Sequence, residues 1–106
     1  MFSLFQRNDA NTIHVSEIDE ILSGINLIDI REAYECVHGS IKGSKNIPMG
    51  QLLSNPTKYM DKSKKYYIMC QSGGRSSSAV AALMRAGYDV VNVKGGMGSY
   101  FGKNRK

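Results

Sequence analysis

Short apolar runs alternate with amphipathic stretches along this chain, separated by glycine and proline. Thr12–Val15 has the residues of a short strand. Ser16 then has the character of a helix N-cap, with Glu17 and Asp19 in the first turn, where negative charge meets the positive end of the helix dipole. Ile18, Ile21 and Leu22 recur at helical spacing, and Gly24 supplies a stop. Ile25–Ile30 is a second strand. Ala33–Val37 allows one or two helical turns. Ile41–Pro48 reads as loop, short strand and loop, because Gly43 and Pro48 punctuate it. Gln51–Leu53 predicts a helical turn, and Asn55-Pro56 opens another, with proline at the first helical position. Lys65–Cys70 is rich in strand formers. After a Gly-rich loop, Ala79, Val80, Leu83 and Met84 place Ser76–Ala86 on a helix closed by Gly87. Tyr88–Val93 is a last strand. Gly95-Gly96 makes a turn, and Met97–Phe101 predicts a final helical turn.

Five strands alternating with helical segments predict a small α/β domain, its mostly parallel five-stranded sheet covered by helices on both faces. The expected domain is 12–102, with an N-terminal extension at 1–11 and a basic C-terminal tail at 103–106. The extension is expected to be loosely held and the tail solvated. The chain of 106 residues suits one domain and is too short for two. No apolar run approaches the roughly 20 residues of a membrane span, so no membrane partner is expected. Met1–Arg7 lacks a basic region ahead of its apolar residues and is not read as a signal peptide. The net charge of +5 is carried partly by Lys103, Arg105 and Lys106. Basic residues are not interleaved with aromatics as a nucleic-acid groove requires, so no nucleic-acid partner is expected. A positive field does favour small anionic substrates.

Cys36 and Cys70 form neither a C-x-x-C pair nor a disulfide framework. A reducing, cytoplasmic setting with a free thiol is the expectation. The segment Cys70-Gln71-Ser72-Gly73-Gly74-Arg75-Ser76-Ser77 carries the candidate chemistry. A cysteine closes a strand, two glycines follow, and a helix begins near Arg75. Glycines let several N–H groups converge on one point, making an anion nest, and the helix start adds its positive end. A thiol there should ionise well below the free value of about 8.5. A merely buried core thiol is the alternative, but it has no need of this loop. In parallel sheets, ligands bind outside the carboxyl ends of the strands, where Cys70 sits.

The motif Cys70-Gln71-Ser72-Gly73-Gly74-Arg75-Ser76 resembles the active loop of rhodanese-like domains, C-x-x-G-x-R-S. Leu27-Ile28-Asp29-Ile30-Arg31-Glu32, followed by Gly39 to Pro48, is similar to that family's D-x-R and G-H-I-x-G-A-x-N-I-P patterns. Val93 to Tyr100 resembles its closing G-G-x-x-x-W. Together these matches span about 12–102, with Ser40 in place of the usual His, Ser44 of Ala and Tyr100 of Trp. The resemblance implies a sulfurtransferase. Cys70 would take sulfur from a small anionic donor such as thiosulfate and hold it as a persulfide among the N–H groups of Gln71 to Ser76. It would then pass the sulfur to cyanide, a thiol or a protein acceptor, without metal or other cofactor.

Asp29 and Arg31 are read as structural support beside the loop. Arg75 could bind the donor's anionic end or brace the loop by pairing with Asp29 or Glu32. Ser72, Ser76 and Ser77 could donate to the sulfur, and Ser76 and Ser77 could equally cap the helix. Cys36 is read as a bystander, with a resolving role open only if it lies near Cys70. His14 and His38 are read as surface or structural residues. A non-catalytic sulfur-carrier or interaction module is the alternative. A cysteine phosphatase fits less well, because four residues rather than five separate Cys70 from Arg75, and Met69 stands where those enzymes have His.

Overall fold

The apolar runs are short because the strands at the centre of the sheet are largely buried and only a few residues long. A computed structural model describes residues 11–106. The expectations for the N-terminal extension and for Met1–Arg7 fall mainly on residues 1–10, outside the described residues. The strands are β1 (Thr12–His14), β2 (Asn26–Asp29), β3 (Lys45–Asn46), β4 (Lys65–Met69) and β5 (Asp89–Lys94). They form one sheet in the order β1-β5-β4-β2-β3, and every pairing is parallel. Register places Asp29 of β2 opposite Met69 of β4, so these two strands end side by side.

Side chains alternate across each strand and divide the core in two. On one face, Ile28, Tyr66, Ile68 and Val90 pack under helix α3 (Gly74–Arg85), through Ala79, Val80 and Leu83. Leu52 of helix α2 (Met49–Ser54) completes that layer. On the other face, Leu27, Met69 and Val93 pack against Ile18 of the short helix α1 (Ile18–Ile21) and against Met97 and Tyr100. The five-stranded α/β sheet with helices on both faces is therefore the fold adopted.

Local differences from the sequence reading have physical causes. Val15 belongs to a 3-10 turn (Val15–Glu17) rather than to β1. Ser16 is not the cap. The ring nitrogen Nδ1 of His14 accepts from the Ser16 N–H at 3.1 Å, so an imidazole does the work expected of a hydroxyl. Ala33–His38 is a 3-10 turn, held by reciprocal capping between Glu32 and Glu35. The C-terminal residues are joined to the domain. Lys42 N–H donates to Asn104 O at 2.6 Å and Lys106 N–H to Ser40 O at 3.0 Å, an antiparallel bridge at the chain end. Tyr100 Oη anchors the approach, donating to Asp19 at 2.7 Å and accepting from Asn104 N–H at 2.8 Å.

Candidate active site

Cys70 follows β4 directly, on the face that carries Tyr66 and Ile68. The chain then turns sharply. Gly73 has φ +105°, a conformation disfavoured for residues with a Cβ, and it precedes the first residue of α3. The turn folds the loop back over the sulfur. Gly73 N–H donates to Cys70 Sγ at 3.1 Å and Ser76 N–H at 3.3 Å. Ser76 Oγ lies 3.4 Å from Sγ and donates to the Gly73 carbonyl at 3.2 Å. Cys70 is 1% exposed, and burial pushes its thiol up. The Ser76 hydroxyl and the N–H groups of Ser76, Gly73 and Ser72 push harder the other way, so the thiol is more acidic than an ordinary cysteine. Of the candidate loop residues, Ser72, Gly73 and Ser76 act on the sulfur directly.

The closing glycines hold this loop from below. Met97 N–H donates to the Cys70 carbonyl at 2.9 Å and Gly98 N–H to the Gln71 carbonyl at 2.8 Å. A methyl on Gly96, which has φ +59°, would overlap the Cys70 carbonyl and the Gln71 backbone. Glycine is required there by close approach of two loops. Gly74 occupies open space and begins α3, where N–H groups have no partner within the helix.

Arg75 does not point at the sulfur, and neither Asp29 nor Glu32 is its partner. Its two terminal nitrogens each donate to Glu35 at 2.7 Å, a bidentate strut from α3 to the 3-10 turn. The guanidinium holds the Glu35 carboxyl at about 2. Sequence reasoning missed Glu35. Its one signal is the spacing Glu32-x-x-Glu35, which ties it to the start of a turn.

Asp29 and Arg31 make a second, buried network. Their side chains are 0% and 3% exposed and meet at 2.8 Å. Burial pushes the Asp29 carboxyl up, but hydrogen bonds from Arg31 and Ser40 outweigh it and keep the group ionised below the usual range. Ser40 Oγ donates to Asp29 at 2.7 Å. Arg31 also donates to the Gly39 carbonyl at 2.8 Å and to Gln71 Oε1 at 3.2 Å, so it reaches the residue after Cys70. Asn46, part of the matched N-I-P motif but given no role in the sequence reading, donates to the Asp29 and Arg31 carbonyls at 2.9 and 2.8 Å.

Cys36 is not brought to Cys70. Its thiol donates to Asp29 Oδ2 at 3.6 Å, while the Cys70 thiol points to the opposite face of the sheet. Burial first, then the Asp29 carboxylate, raise the Cys36 thiol. His14 caps a turn and His38 is exposed. Among the described residues no His, Cys, Asp and Glu cluster is arranged to hold a metal ion, and no helix is long and apolar enough to cross a membrane.

Sequence and fold are both similar to those of known proteins. The model of the rhodanese-like domain matches residues 14–103, and the chain belongs to that family. YtwF of Bacillus subtilis is 33% identical over 97 residues, covering 92% of this chain and 93% of YtwF. A sulfurtransferase of Allochromatium vinosum is 38% identical over 72 residues, 67% of this chain and 66% of its own. Among solved structures, SSP1007 of Staphylococcus saprophyticus superposes with a TM-score of 0.82 at 32% identity, covering 91% of this chain and 98% of the other. The rhodanese-like domain protein of Staphylococcus aureus gives 0.81 at 30%, covering 91% and 96%. The chain is thus a rhodanese-type member of a family that includes sulfurtransferases.

Proposed function

We propose that the chain is a sulfurtransferase that carries sulfane sulfur as a persulfide on Cys70. The observation that carries this reading is the convergence of two N–H groups and one hydroxyl on a thiol at the carboxyl end of β4. The Cys70 thiolate attacks the outer sulfur of a small anionic donor such as thiosulfate. A new S–S bond forms, the donor's S–S bond breaks, and sulfite leaves with the bonding pair. The persulfide is held by the loop from Gln71 to Ser76, including the unpartnered N–H groups at the start of α3. An acceptor, cyanide or a thiol, then attacks the outer sulfur, and Cys70 departs as the thiolate. Dividing the transfer in two lowers each barrier, and a stabilised thiolate serves both as nucleophile and as leaving group.

A hydroxyl has one proton to give. With Cys70 protonated, Ser76 Oγ donates to the Gly73 carbonyl and accepts from the thiol. When Cys70 ionises, the same hydroxyl turns its proton to the sulfur. Ser76 therefore follows the charge as it appears and leaves. Arg75 acts through Glu35 as a brace and positions the loop. Asp29 and Arg31 hold the end of β2 against Gln71. A reducing, cytoplasmic setting is consistent with two free thiols.

Intact-mass spectrometry after thiosulfate treatment tests the reading. One added sulfur atom on wild type and none on Cys70→Ser is expected, together with turnover of thiosulfate and cyanide. Absence of the adduct on wild type would overturn it. An adduct without turnover would make the chain a sulfur carrier rather than an enzyme.

A further inference from the structure

Beside the Cys70 loop lies a cleft of about 450 Å³ whose wall does not include Cys70. This is a volume typical of small-molecule sites. Gln71 forms part of its wall, one residue and about 3.8 Å of backbone from Cys70. Three charged side chains line it, Arg31, Glu35 and Arg105, together with the His38 imidazole and the Tyr100 phenol. Two of these charges are already spent. Arg31 is paired with Asp29 and Glu35 with Arg75, and these are the ion pairs among the described residues. Arg105 therefore faces the cleft uncompensated. Its guanidinium passes over Gly39, where a Cβ would stand 3.0 Å from Nε, so the bare glycine admits it. The backbone bridge between Arg105 and Ile41 fixes the root of the side chain. Phe101, 91% exposed, forms an apolar shoulder of the same cleft.

We propose that this cleft takes a carboxylate of an extended organic thiol, the acceptor of the sulfur carried on Cys70, with Arg105 as its anion-binding residue and Phe101 against its carbon skeleton. The assignment rests on the sulfur-transfer reading above and names the acceptor class for it. Thiosulfate cannot use the cleft while reacting, because its charges lie within two bonds of the transferred sulfur and Gln71 intervenes. A peptide-like thiol, whose carboxylate stands several bonds from its sulfur, has the length to leave that carboxylate in the cleft while its sulfur reaches past Gln71. Its thiolate attacks the outer sulfur of the persulfide, the inner S–S bond breaks, and Cys70 leaves with the electron pair. The acceptor departs as a persulfide, and no outside oxidant or reductant is consumed.

Glutathione and its diethyl ester provide the probes, with the same thiol and skeleton but masked carboxylates in the ester. In the first arm their S-methyl forms, which cannot accept sulfur, are titrated into the isotope-labelled protein and followed by NMR. The acid should shift the amide signals of Gln71, Gly98 and Arg105, and bind roughly threefold to fivefold tighter than the ester, the range of an exposed ion pair. Arg105→Gln should erase that preference. Lys64→Gln removes the same charge at the opposite end of β4 and should keep it. In the second arm the rate of persulfide discharge by the two thiols should show the same preference and the same loss in Arg105→Gln. Equal binding of acid and ester, or a preference that survives Arg105→Gln, overturns the cleft assignment. Binding that follows Arg105 without any preference in discharge overturns the acceptor role. Failure of Cys70 to take up sulfur at all is a separate result, read by mass, and counts against the transfer reading while the first arm still decides the cleft.

Discussion

Cys36 and Cys70 are the same side chain in opposite surroundings. Both lie at the carboxyl edge of the sheet, near the adjacent ends of β2 and β4. Around Cys70 the polar groups that act on the sulfur are donors or can become donors: the N–H groups of Ser72, Gly73 and Ser76 and the Ser76 hydroxyl. Beside Cys36 the hydrogen-bond partner is the Asp29 carboxylate, which together with burial outweighs the Arg31 guanidinium nearby. Burial opposes ionisation at both, yet it is outweighed at Cys70 and reinforced at Cys36. Desolvation alone therefore says little about a thiol. What decides is whether the fold turns N–H groups or a carboxylate toward it.

The strongest way to break this contrast is to remove each thiol in turn. Cys70→Ser should reduce sulfur transfer to background, since a hydroxyl forms no persulfide. Cys36→Ser should keep most of its turnover with thiosulfate and cyanide. A collapse in the second variant would make Cys36 a participant despite its place on the other face.

Asp29→Asn attacks the Cys36 side of the comparison. It leaves the Arg31 guanidinium buried without its partner, at a cost of about 3–5 kcal/mol in urea unfolding. The surviving folded fraction should alkylate Cys36 more readily, because the carboxylate that raised its thiol is gone. A stability loss under about 1 kcal/mol would show that Arg31 finds other support.

The contrast itself is read by the pH dependence of iodoacetamide alkylation, resolved by peptide mass mapping. A thiol reacts as thiolate, so a lowered pKa moves the rate profile to lower pH and a raised one to higher pH. Cys70 should show its midpoint below the free-thiol value of about 8.5 and Cys36 above it. Each unit of separation corresponds to about 1.4 kcal/mol between the two environments. Coincident profiles, or the reverse order, would assign the activated sulfur to the wrong residue.

The smallest effect is expected at the brace. Glu35→Gln should cost about 1 kcal/mol or less, since the pair is partly exposed. Its sign with pH follows from the Glu35 carboxyl being held at about 2, below its unfolded value of about 4.3. The contribution is fully present above the unfolded value and is lost as pH falls through about 2. Unfolding free energies of wild type and Glu35→Gln should therefore differ by a constant amount near neutrality and converge in strong acid. A larger fall in transfer rate than in stability would mark Glu35 as positioning the loop.

Much of this was legible in the sequence because it is local. Alternation of apolar runs gives strands, and a cysteine followed by Gly73, Gly74 and a helix start specifies a cradle for negative charge within a few bonds of chain. The resemblance carried by three motifs supplied the family. Contacts between segments were not legible. Arg75 choosing Glu35, 40 residues away, over Asp29 or Glu32 depends on where the 3-10 turn comes to rest against α3. The burial of Asp29 with Arg31, the need for Gly96 beneath Cys70, and the joining of 104–106 to 40–42 likewise arise from close approach. The two thiols separate for the same reason. Side-chain alternation fixes which face each strand residue takes, but only the register of β2 against β4 and the path of the 33–38 turn set a carboxylate beside one sulfur and N–H groups around the other.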